Sequence, residues 1–571
     1  MNKMKITLSF LTAGLLAVMS VNAQSLQDGV KDLYAERTQS AKAIFEKLLA
    51  SNPNNNEATY WLGQTYLAND DVEGAKAVYD KGLTASNNAP LIVVGRGQVD
   101  LEESKIAEAR QRFEAAITAS RGKKGDDPQI LNAVGRAITN VYDEKEKKGD
   151  INFAIEKLEA ASQEKIKDKW LQADIYTNLG NALRKAKPGE NGGKAFENYQ
   201  KANQADPGYP YAYLRTAQLF ESQKNWDLFE QNLNKAIEAD PTYAPAYYQL
   251  SYYKMGRLDL AAAKAFAQKY KEHSDNDPQN SYLEYSIDWA AKNFDQAITG
   301  AKSIIAQTGG KAKARVYKLI ADAYVQKKDT AAAREYVDEY FKRARPDEIT
   351  ALDYKLKADV YSAIPGQEQA LYAIYMEGVN ADTSLDNKIR LLDQGAEFFK
   401  NKGLRELEGD ITAELLKVKP KPTINDWFDA GRAYYFGKAY TKSYDIFSQF
   451  VKIYPDSIYG YEWKLNNAKL IDTVKKDSIA VPDAVALLEF TKRDSVRYAP
   501  QISSAAYYLV TYYAAKNERD KVIEYLEVMK SATTNPDQIK QIQSNIDALT
   551  KQPAQQPATR PRGGTSAAGS K

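Results

Sequence analysis

Residues 195–241 read AFENYQKANQADPGYPYAYLRTAQLFESQKNWDLFEQNLNKAIEADP, and this stretch decides the fold. Ala195, Tyr199, Ala202 and Pro207 are followed, each 34 residues later, by Phe229, Leu233, Ala236 and Pro241. A fixed period of that length marks stacked helical hairpins, each too small to bury its apolar face alone. Ala195, Tyr199 and Ala202 share one helical face, because residues three and four apart are neighbours on a helix. The prolines fall where one helix has ended and the next begins.

The same register extends outward in both directions. Ala41, Phe45, Leu48 and Pro53 precede Ala75, Tyr79, Gly82 and Asn87, again by 34 residues. Between them lies Trp61-Leu62-Gly63-Gln64-Thr65-Tyr66. There the glycine admits a close partner helix and the ring three residues on fills the adjoining gap. Near the other end Trp427, Ala430, Gly431, Tyr434, Ser443, Phe447, Phe450 and Pro455 follow the same order.

These residues resemble the tetratricopeptide repeat (TPR) family. Its hallmarks are Leu-Gly and Tyr on a first helix, Ala–aromatic–Ala on a second, and a closing Pro. The resemblance implies an all-α, right-handed superhelical solenoid of about 14 antiparallel helix-turn-helix repeats over residues 24–549. Repeats are clearest at 28–87, 169–241 and 424–455, and weak at 280–346 and 385–420. The unit at 456–498 departs most, with Trp463 where a small residue belongs and an insertion from Ile471 to Pro482.

The ends have a different character. Lys3 and Lys5, the apolar run Ile6–Val21 and Val21-Asn22-Ala23 read as a signal peptide over residues 1–23, cleaved after Ala23. The 16-residue run contains polar positions and is short for a membrane span. An exported, periplasmic location is expected. Residues 550–571, rich in Pro, Gln, Ala, Gly, Ser and Thr, lack the apolar content to repay ordering and read as disordered.

Composition narrows the chemistry. With no Cys and only His273, thiol nucleophiles, Cys-based zinc sites and multi-histidine arrangements are excluded. His273, in a polar run, reads as a solvated loop residue. Lys+Arg 78 against Asp+Glu 75 is too balanced for bulk nucleic-acid binding. Gly193-Lys194 and Gly310-Lys311 lack the earlier Gly and the following Ser or Thr of a phosphate loop. Neither an enzyme nor a cofactor is expected.

Within the resemblance, specificity belongs to the first helix of each hairpin, whose exposed side lines a concave face. Arg96, Arg136, Asn178, Asn181, Arg184 and Arg215 form a track there. Arginine forks onto carboxylates and asparagine amides pair with an extended backbone. The alternative is that these arginines pair with neighbouring Glu or Asp. Asn178, Asn181 and Arg215 fall near the positions of a C-terminal carboxylate clamp, but Asn132 and Tyr211 stand where its lysines belong. A second set is Tyr248, Tyr252, Phe428 and Tyr435, for which seam packing is the competing role. The expectation is a non-enzymatic adapter or assembly factor of the cell envelope, binding protein or peptide segments. The alternatives are a structural spacer or a non-catalytic subunit of an envelope or secretion complex.

Overall fold

The repeat works because a large ring on one helix fits over a glycine on its neighbours. Tyr79, fully buried, lies against both Gly63 and Gly95, and a Cβ on either glycine would overlap its ring. Its hydroxyl donates to the Tyr60 carbonyl at 3.0 Å and accepts from Gln64 Nε2 at 2.9 Å. The same Nε2 reaches Gln98 Oε1 at 2.9 Å, 34 residues on, so a buried polar pair also reports the register.

The computed structural model describes residues 25–551 except 124, 145 and 473–477. The expected leader of 1–23 and residues 552–571 of the expected tail lie outside the described residues; Thr550 and Lys551 end the last helix. Among the described residues there are 29 α-helices and no strand, only isolated bridges Gly122–Gly125 and Asp143–Lys148 closing two loops. The chain divides into two units, Met1–Lys327 and Lys328–Lys571.

In the first unit the order is α1 (Leu26–Tyr34), α2 (Thr38–Ser51), α3 (Asn56–Ala68), α4 (Val72–Ser86), α5 (Pro90–Glu102), α6 (Ile106–Ser120), α7 (Pro128–Val141), α8 (Ile151–Ser162) and α9 (Lys169–Ala186). It continues through α10 (Gly192–Ala205), α11 (Pro210–Ser222), α12 (Trp226–Ala239), α13 (Ala244–Gly256), α14 (Leu260–Glu272), α15 (Tyr282–Ala290), α16 (Phe294–Gln307) and α17 (Ala314–Gln326). The second unit holds α18 (Thr330–Arg343), α19 (Ala351–Ser362), α20 (Glu368–Ala381), α21 (Leu385–Asn401), α22 (Arg405–Val418) and α23 (Ile424–Phe436). After these come α24 (Tyr440–Ile453), α25 (Ile458–Ile471), α26 (Ala480–Thr491), α27 (Ala499–Ala515), α28 (Arg519–Ala532) and α29 (Pro536–Lys551). This is an all-α solenoid of helical hairpins, with α29 as an added closing helix.

Local chemistry sets the turns. Asp70, Ser104, Lys224, Leu258 and Lys438 each take a positive φ between the two helices of a hairpin. That left-handed residue reverses the chain in one step. The second helix is then capped by the side chain before it, as Asp71, Asp150, Asn225 and Asp259 accept N–H groups of the first turn. The departing unit at 456–498 accommodates its large residue. Trp463 stacks on Phe447 at 5.6 Å between centroids and meets Tyr435 edge-on at 4.9 Å.

Candidate functional site

The first helices of the early hairpins carry polar side chains inward, and these side chains engage one another. Arg96 donates to Asp80 Oδ1 at 2.8 Å and pairs with Asp100, which also accepts from Arg112 at 2.7 Å. Arg136 reaches Asp174 Oδ2 at 2.8 Å, Tyr34 Oη at 3.0 Å and Tyr60 Oη at 2.9 Å, with its guanidinium over the Trp61 ring. Asp174 is wholly buried and also accepts from Asn132 Nδ2, Tyr34 Oη and Tyr209 Oη. Asn178 donates to Asn132 Oδ1 at 2.9 Å. Asn181 accepts from Tyr199 Oη and from Arg215 Nε at 2.7 Å, while Arg215 and Arg184 both bond Gln218.

All six track residues thus lie in the first unit and hold internal partners. Arg96, Arg136, Asn178 and Asn181 are buried; Arg184 and Arg215 stay half-buried. Burial, with the Asp174 carboxylate adding to it, pushes the Tyr34 and Tyr209 phenols well above their ordinary range, so both act as donors. A buried ion pair of this kind is sustained only where hydrogen bonds satisfy the remaining lone pairs, and Asp174 meets that condition.

The turn between α1 and α2 completes this inner face. The Tyr34 ring meets Trp170 and Tyr211, each at 5.2 Å and edge-on. Ala35 is buried among Leu214, Ala217, Phe229 and Tyr243. Arg37, paired with Asp32 at 2.6 Å, donates to the carbonyls of Thr242 and His273. The Asp275 carboxylate accepts Gln39 N–H at 2.7 Å and Ser40 Oγ at 2.5 Å, which caps α2 from 235 residues away. His273 is half-buried, stacked on Tyr247 at 5.5 Å, where a solvated loop residue was expected. Its backbone carbonyl accepts from Arg37 of the α1–α2 turn.

Two arginines stand differently, one in each unit. In the first, Arg315 lies over the rings of Tyr282 and Tyr248 at 4.6 and 5.6 Å and donates to Tyr248 Oη at 3.0 Å. Tyr248 stacks on Tyr252, whose ring is 53% exposed. In the second unit, Arg432 is exposed between Phe428 and Phe436, 5.5 and 5.6 Å from their centroids. Neither arginine has an ion-pair partner among the described residues.

Arg432 and Phe436 line a cleft of about 430 Å³ between α21, α22 and α23, together with Asp393, Lys400, Arg405, Glu408 and Asp429. Arg405 and Glu408 neutralise each other at 2.8 Å, as do Lys419 and Asp426 at 2.7 Å. Burial raises the Asp393 carboxyl, against the pull of Lys419. Phe428 packs on Tyr459 and Trp463, and Tyr435 is half-buried against Trp463. Of the expected aromatic set, Tyr252 therefore faces solvent, while Phe428 and Tyr435 support a surface that ends in Phe436. Sequence reasoning missed Phe436 and Arg315. The signal for Phe436 was its place one residue past Tyr435 on the same helix; Arg315 carried none.

Among the described residues no group of three His, Cys, Asp or Glu side chains can hold a metal ion, and no helix is long and apolar enough to cross a membrane.

The TPR signature matches residues 32–92. No curated protein matches the chain. Among solved structures, the C-terminal part of a TPR repeat-containing protein from Cytophaga hutchinsonii is 20% identical, with 45% of this chain and 98% of that chain covered and a TM-score of 0.24. A TPR protein from Parabacteroides merdae is 16% identical, covering 47% and 97%, with a TM-score of 0.38. For pilF of Pseudomonas aeruginosa the identity is 16%, the coverage 45% and 93%, and the TM-score 0.24.

Proposed function

We propose that this all-α solenoid of helical hairpins, whose residues 32–92 match a tetratricopeptide repeat, is a non-enzymatic scaffold that binds extended segments of other proteins. The observation that carries this reading is Arg432, exposed, unpaired and flanked by two aromatic rings on the rim of an open cleft. An arginine so placed offers a fork to a carboxylate or backbone carbonyl, and Phe436 beside it offers an apolar contact. Affinity then comes from modest contacts spread over several hairpins, with no chemical step. The leader-like residues 1–23 support an exported setting, in which the protein serves as an adapter or assembly factor of the cell envelope.

A second reading has its own support. The Arg136–Asp174 network and the α1–α2 turn make the first unit self-contained, as a structural spacer or non-catalytic subunit requires. Cross-linking in intact cells separates the two readings. Wild type is expected to yield discrete adducts that the Arg432→Glu/Phe436→Ser double variant loses while keeping its helical circular dichroism. Unchanged adducts from the folded variant would leave only the spacer.

A further inference from the structure

Most cations whose surroundings are shown have a carboxylate beside them, and Arg315 is an exception with a built environment. Its guanidinium sits over Tyr282 at 4.6 Å and Tyr248 at 5.6 Å, and one terminal nitrogen donates to Tyr248 Oη at 3.0 Å. Its Nε is fully buried and has no hydrogen-bond partner. A guanidinium has five N–H donors in a fixed fork, so most of the donating capacity here is unused. Aromatic faces favour the cation and exclude part of its hydration, which strengthens any ion it then meets. The open side is bounded by the Tyr252 ring, stacked on Tyr248 at 6.5 Å and 53% exposed.

One carboxylate within electrostatic reach is Glu36, at the tip of the α1–α2 turn with φ of 61°. Lys313 and Arg315 act on it through space, but it makes no ion pair with either. Glu36 takes none of the Arg315 donors, and burial around its carboxyl raises it against the pull of both cations. Burial of the surroundings keeps the Tyr282 phenol protonated, its pKa pushed up to about 12, so the frame adds no negative charge of its own.

We propose that Arg315, framed by Tyr248, Tyr252 and Tyr282, is a subsite for one acidic side chain of an extended partner segment, and that Glu36 opposes its entry by like-charge repulsion. The proposal rests on the reading of the chain as a scaffold for such segments, yet it uses residues of the first unit alone. The ligand carboxylate takes the unused donors of Arg315, while its backbone lies along the exposed Tyr252 ring. Glu36 thereby sets how strongly an acidic segment must be held before it enters.

The test is a titration of the full chain, ¹⁵N-labelled in arginine, with the peptide acetyl-Ala-Glu-Ala-amide and its Gln and phosphoserine counterparts. The Arg315 Nε resonance is identified by its disappearance in Arg315→Lys. The Glu peptide is expected to shift that resonance saturably, the Gln peptide to leave it unmoved, and Glu36→Gln to lower the half-saturation concentration several-fold. No shift at tens of millimolar, an equal response to the Gln peptide, an unchanged half-saturation in Glu36→Gln, or stronger binding of the phosphoserine peptide would each overturn the assignment. Because Arg432 is untouched, failure here is distinct from failure of the scaffold reading, which the Arg432 variant tests.

Discussion

At Asp174 one buried carboxylate accepts hydrogen bonds from Tyr34, Tyr209, Asn132 and Arg136, which come from residues far apart along the chain. Removing its cation leaves an uncompensated charge in the interior, so Arg136→Ala is expected to cost about 3–5 kcal/mol, read from urea unfolding of the full chain. Little change in the unfolding midpoint would show that water enters and solvates Asp174. Gly63→Ala meets the Tyr79 ring, which is fixed by two hydrogen bonds, and is expected to cost about 1–3 kcal/mol by the same measurement. Glu103 supplies a pH dependence. Hydrogen bonds from Lys105 and then Lys76 hold its carboxyl down to about 2, below its ordinary 4.5. Its stabilisation is complete above pH 4.5 and is lost as pH falls toward 2. The advantage of wild type over Glu103→Gln, about 0.5 kcal/mol for so solvated a pair, is expected at neutral pH and should vanish near pH 2.

At the scale of elements, the hairpin is the part most legible in the sequence. Ala41, Ala75, Ala109, Ala195 and Phe229 are all buried at the same place on the second helix, as spacing alone predicts. What spacing does not carry is the contact between hairpins that lie far apart in the chain. The track of Arg96, Arg136, Asn178 and Asn181 has the residue types of a binding face, but all four are buried, and Arg136 and its partner Asp174 are bonded by Tyr34 where the α1–α2 turn reaches α9, α11 and the loop after α14. No local pattern encodes that closure; it follows from the curvature of the stack. The cap on α2 shows how tightly the turn is held. Asp275→Ala frees the N–H of Gln39 and Ser40, and is expected to cost about 1 kcal/mol. Hydrogen exchange at those two amides should accelerate first. Equal exchange in both proteins would mean the α1–α2 turn is secured without that carboxylate.

Over the whole molecule, repetition builds the solenoid, and in the proposed function exceptions to the repetition mark where it binds. The polar residues of the first unit's inner face mostly satisfy one another, whereas Arg315 and Arg432 lie in aromatic frames without an anionic partner. Trp463 belongs with those exceptions. Its misfit to the repeat becomes the packed base under Phe428 and Tyr435, which supports the Arg432–Phe436 surface. A scaffold assembled this way gains affinity from several exposed anchors and loses it in steps as they are removed. The most direct test is the Kd of a segment identified by cross-linking, measured for wild type and for Arg432→Glu. A charge-assisted hydrogen bond contributes about 1.5–3 kcal/mol, and replacing Arg432 by an acid adds repulsion. At least about a tenfold weakening is therefore expected; the same Kd for both proteins would contradict a binding role for Arg432.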